Sequence, residues 1–109
     1  MVIATRKILI RASDQDSEME IRLFQPIYDD RAWTCNYEMD WPDGMKAGFA
    51  VGFDAMQAII LALQSIGADL YVSPYHAKSQ LIWVTPGAGY GFLVPGNMRD
   101  MLIGNDISL

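Results

Sequence analysis

Two side chains in this sequence have the chemistry of a nucleophile and its base. Cys35 could attack as a thiolate if the single imidazole, His76, lay close enough to lower its pKa. Its phase argues otherwise: Cys35 alternates with Trp33 and Tyr37, so it is expected in the core as a small apolar residue. His76 follows Ser73-Pro74-Tyr75 with no second His to share a metal, and reads as a surface loop residue without a partner. Asp14, Asp16, Glu18 and Glu20 recur at every second position, which invites a calcium reading. The calcium loop needs Gly where Met19 stands and Glu where Gln25 stands, so the four read as a solvated turn and strand face. Gly87, Gly89 and Gly91 could cradle a phosphate but lack the Lys and the long following helix of a phosphate loop. No acid/base or nucleophile pair has supporting spacing. No metal or cofactor site is expected, and the reading leans away from an enzyme.

The elements that must position these residues come from one short chain. Its 109 residues fit a single domain, 1–109, and 51% hydrophobic residues can fill a core. The formal charge of −5 repels phosphate backbones and anionic lipid, so nucleic acid and membrane surfaces are excluded as partners. One Cys cannot form an internal disulfide, and the N-terminus lacks the pattern of a signal peptide, so a reducing cytoplasm is expected. Charge is uneven. From Ala12 to Asp54 ten carboxylates stand against three cations, a net −7, whereas from Ala55 onward only five residues are charged. This split predicts a solvated acidic sheet face in the first half and elements buried or paired with another subunit in the second.

Alternation sets the strands. Ile3 to Arg11 is rich in aliphatic residues. Met19, Ile21 and Leu23 then alternate with Glu18, Glu20 and Arg22, and Trp33, Cys35, Tyr37 and Met39 with Thr34, Asn36, Glu38 and Asp40. Trp41-Pro42-Asp43-Gly44 predicts a turn into a fourth strand, whose Gly48, Ala50 and Gly52 leave room for another backbone. Asp54 as cap, Gln57 three residues on and Gly67 as a left-handed stop predict a helix over 55–66. Its apolar face is expected to centre on Met56, Ile59, Leu63 and Ile66, with Gln57, Leu61 and Gln64 opposite. No charge occurs between Asp54 and Asp69, so Leu61 is expected to be covered too, by the C-terminal segment or by a second copy. Short strands are predicted at 70–72, 80–85 and 91–94, one helical turn at 97–102, a flexible glycine-rich stretch at 86–91 and a loose C-terminus. The fold class is thus α+β: an antiparallel sheet of about four N-terminal strands packed on one central apolar helix, with short C-terminal strands.

Three segments in order, Trp33-Thr34-Cys35-Asn36-Tyr37, Gly52-Phe53-Asp54-Ala55-Met56-Gln57-Ala58, and Leu81-Ile82-Trp83 followed by Gly89-Tyr90-Gly91-Phe92, resemble a family of small bacterial proteins known as a domain of unknown function. The resemblance implies a bacterial origin and a compact α+β domain, and no reaction. Two functions follow from the residues. One is an interaction module that homodimerises through its charge-poor half, with Leu61, Gln57 and Gln64 as contacts. It would offer Glu18 and Glu20 to a basic protein partner, as acidic immunity proteins do by analogy. The other is a small-molecule binder or enzyme whose pocket is built from Trp33, Tyr37, Trp41, Tyr90 and Phe92 under a glycine-rich lid.

Overall fold

A computed structural model describes all 109 residues. Strands β1 (Val2–Ile10), β2 (Ser17–Phe24), β3 (Ile27–Asp29), β4 (Ala32–Trp41) and β5 (Gly44–Gly52) are joined in sequence as an antiparallel meander. β2 and β3 share one edge of β4, broken at Gln25-Pro26 because Pro cannot donate to the ladder. β5 takes the other edge of β4, and the two-residue β6 (Leu81–Ile82) adds to the free edge of β1. β3, unpredicted by the sequence reading, forms a hairpin with β4 through Asp30 and Arg31, both at positive φ, the backbone that a tight two-residue turn demands. One face of the sheet is dry: Ile8, Ile10, Met19, Ile21, Leu23, Cys35, Tyr37 and Met39 are buried there, as the alternation required.

Helix α1 (Ala55–Tyr71) covers that face. The Asp54 carboxylate accepts from the Gln57 amide at 2.7 Å, and the Gln57 side chain accepts from Phe53 N–H at 2.6 Å, so the predicted cap is present. The predicted stop is not. Gly67 lies inside the helix, which runs on to Tyr71 and absorbs the expected strand at 70–72. Gly67 is small for a different reason: a Cβ there would overlap the Leu93 carbonyl, where the C-terminal segment crosses the helix.

The buried stripe also differs from the expected one. It runs Ala58, Ala62, Ile66, Leu70 at four-residue steps, while Met56 is 72% exposed. The sheet beneath explains the shift. Gly52 faces the helix so closely that a Cβ would overlap the Ala58 amide, and only small side chains fit between strand and helix. Gly48, by contrast, is capped by the Tyr37 ring rather than by a backbone. The helix is therefore covered by the sheet and by the Leu93 crossing, but not all round. Ile60 is half exposed, and Leu61 is half-buried beside Arg31, Ala32 and Phe53 instead of lying under the C-terminal segment.

Beyond α1, the expected loop at 73–76 is a short helix, α2 (Pro74–Ala77), with the Ser73 hydroxyl accepting from His76 N–H at 3.1 Å. The strand expected at 80–85 shrinks to β6, since Val84 turns back at positive φ and Trp83 bridges to Thr85. Residues 91–94 form no strand. Two 3-10 helices, Gly96–Met101 and Gly104–Ser108, end the chain. No helix is long and apolar enough to cross a membrane.

Candidate functional site

The C-terminus is fastened rather than loose. Asp106 is 1% exposed, and its carboxylate accepts from the Tyr71 hydroxyl at 2.6 Å, Tyr90 N–H at 2.8 Å and Gly91 N–H at 2.7 Å. The Tyr71 oxygen in turn accepts from Ile103 N–H at 3.2 Å. Gly89 packs against this carboxylate so tightly that a Cβ would meet it, and Asn105 N–H donates to the Ala88 carbonyl at 2.8 Å. The glycine-rich stretch is thus pinned from both sides.

Around the carboxylate stands a cluster of titratable rings. Tyr90 and Tyr71 lie 5.2 Å apart between centroids, and His76 sits edge-on to both. His76 Nδ1 and the Tyr90 hydroxyl are 2.5 Å apart. Burial, then the Asp106 charge, pushes Tyr90 up to about 12, so its hydroxyl keeps its proton. Burial pushes His76 below its ordinary value, which favours a neutral ring whose Nδ1 shares one hydrogen bond with the Tyr90 hydroxyl. The surface histidine without a partner is in fact a half-buried hydrogen-bonded one. Cys35 belongs elsewhere: it is fully buried, donates to the Phe24 carbonyl at 3.3 Å, and burial pushes its thiol up, away from thiolate chemistry.

Arg6 completes the cluster from β1. It points to the dry face, in phase with Ile8 and Ile10, and its Nη1 donates to the Tyr90 and Gly91 carbonyls at 3.1 Å each. Its guanidinium carbon lies 4.1 Å from the Trp83 ring centre and 4.6 Å from that of Phe92, so the cation is held between two aromatic faces. Burial lowers its pKa and the Asp106 charge opposes that shift.

The five aromatics of the expected pocket fall into separate environments. Trp33 packs on Tyr28, Trp41 stacks on Tyr75, Tyr90 joins the His76 cluster, and Phe92 flanks Arg6. Tyr37 donates to Asp69 at 2.9 Å, and burial and that carboxylate push its phenol up. The expected contact residues are also dispersed. Gln57 caps α1, Leu61 lines a shallow cleft with Arg31, and Gln64 lines another with Arg6. Glu18 meets Lys7 at 3.7 Å, and Glu20, Glu38 and Asp40 all hydrogen-bond to Arg22, with Asp40 bidentate at 2.6 and 2.7 Å. That hydrogen bonding holds Asp40 below the usual carboxylate range.

Sequence reasoning missed the rim of the sheet. β5 pairs only with β4, and its outward side chains are apolar: Met45, Phe49 at 65% exposure, Val51, then Phe53 at 97% just beyond the strand. Its single cation, Lys46, turns to the inner face and meets Asp69 of α1 at 2.9 Å. The signal was available, since the small residues Gly48, Ala50 and Gly52 on the inner face leave the large residues between them to point outward.

A family model described as a domain of unknown function, DUF6968, matches residues 4–94. No curated protein and no solved structure matches the chain.

Proposed function

The chain belongs to the DUF6968 family of domains of unknown function, and from that premise we propose that it is a non-enzymatic interaction module that pairs with a second copy of itself along the open edge of β5. One observation carries the reading. Nine residues of edge strand present unpaired backbone with no proline and no outward charge, flanked by exposed Met45, Phe49, Val51 and Phe53. Natural sheets blunt such edges with charge, proline or a covering loop, because an open edge recruits another strand. A second β5, antiparallel about a two-fold axis, satisfies the edge and brings like apolar side chains together.

The acidic face supports a basic partner less well. Three of its carboxylates, Glu20, Glu38 and Asp40, are already engaged by Arg22, and Glu18 has Lys7. The immunity-protein analogy is left resting on net charge. A buried, unbridged Cys35 suits a reducing cytoplasm.

Sedimentation equilibrium at micromolar concentration tests the reading. The wild type is expected to sediment as a dimer of the 12.2 kDa chain, and Val51→Lys as a monomer with unchanged circular dichroism. A wild type that stays monomeric across the concentration range overturns the proposal.

A further inference from the structure

Arg6 is a half-buried cation without a counter-ion. The ion pairs of the chain use Lys7, Arg22 and Lys46, and none uses Arg6. The Asp106 carboxylate acts on it only through space, having spent its oxygens on Tyr71, Tyr90 and Gly91. Nη1 is occupied by two carbonyls, whereas Nε and Nη2 make no hydrogen bond within the chain. The guanidinium is flanked by Trp83 and Phe92, and its Nε and Nη2 stay open to solvent with donors to spare.

Arg6 borders a cleft of about 270 Å³ between α1 and the C-terminal segment, lined also by Ile60, Leu63, Gln64, Phe92 and Leu109 among others. The walls are apolar, Gln64 adds a polar group, and no acidic side chain lines the cleft. We infer that this cleft binds a small carboxylate with an apolar tail. The carboxylate meets the free edge of the Arg6 guanidinium, and the tail lies along Ile60, Leu63 and Phe92. A single planar cation suits a monoanionic carboxylate, which two parallel N–H groups can grip; a phosphate dianion calls for more donors than the cleft offers. The inference is independent of pairing at β5, which lies on the opposite rim of the sheet from β6.

Octanoate and benzoate are the probes, titrated into the full chain by calorimetry and by tryptophan fluorescence, since Trp83 touches the guanidinium. Saturable binding is expected, with 1-octanol at least about tenfold weaker than octanoate because it lacks the charge. Arg6→Met is expected to abolish the difference between acid and alcohol. Because Arg6 also holds the Tyr90 and Gly91 carbonyls, Ile60→Glu provides a second variant. Ile60 is 50% exposed, so the change is tolerated by the fold, and it sets a carboxylate at the cleft that competes for Arg6. Octanoate binding is expected to fall at least about tenfold in this variant. No saturable binding of either acid, equal binding of octanoate and octanol, or octanoate binding unchanged in a folded Ile60→Glu protein would each overturn the inference.

Discussion

Removal of the Asp106 carboxylate should weaken the protein more than any other single change near its C-terminus. In Asp106→Ala three donors lose their acceptor at once: the Tyr71 hydroxyl and the amides of Tyr90 and Gly91. Leaving a buried donor unmet costs about 1–3 kcal/mol, and some of this is recovered when water enters the space left by the carboxylate. A net loss of about 3–5 kcal/mol is expected, against a total stability of roughly 5–15 kcal/mol for a domain of this kind. Asp106→Asn keeps one acceptor oxygen but turns an amide toward at least one of the same donors, so a smaller loss of about 1–3 kcal/mol is expected. Urea unfolding followed by tryptophan fluorescence reads both variants. Thermal midpoints should fall by roughly 4–8 °C for each kcal/mol lost. If both variants lie within about 0.5 kcal/mol of wild type, the ordinary range for surface changes, then Asp106 does not fasten the C-terminal segment and the account of that segment fails.

Two further outcomes can be measured. Gly67→Ala, which in an exposed helix would stabilise by about 1 kcal/mol, should here destabilise by about 1–3 kcal/mol because the new Cβ meets the Leu93 carbonyl; a raised midpoint would mean that the segment does not cross there. His76 titrates below its ordinary value in the folded chain, so the unfolded chain takes up the proton first. The stability contributed by the neutral ring is therefore complete above about pH 6.5 and is lost as pH falls below it. Wild-type stability should consequently drop more steeply from about pH 7.5 to about pH 5.5 than that of His76→Asn, whose side chain does not titrate.

Strands β2 and β4 were legible because each buries one face, whereas the fully exposed β3 left no such alternation. Strict alternation at 18–24 and 33–40 therefore marks both the strand and its dry side, and Cys35 is in the core for that reason. The helix start was legible through Asp54 and Gln57, whose bonds are local. Features set by distant segments were not. Gly67 reads as a stop unless Leu93 is known to cross it, and the identity of the buried helix stripe depends on how closely Gly52 lets the strand approach. Two members of the site left traces that period-two reasoning can recover. Arg6 falls in phase with Ile8 and Ile10, a cation on a dry face, and Asp106 sits between Ile103 and Ile107 in the charge-poor half of the chain. What the sequence could not supply was their convergence with His76 and Tyr90, because no local pattern links residues so far apart.

The meander from β1 to β5 closes contacts between neighbours in the chain, whereas β6 must find β1 across some seventy residues, pairing Leu9 with Ile82 and Ile10 with Leu81. Loop-closure entropy then orders folding: hairpins early, the C-terminal arm last. By the same ranking the arm is the first part to open under native conditions. Amides of Tyr90, Gly91 and Ile103 should therefore exchange with solvent deuterium sooner than those of β2 and β4.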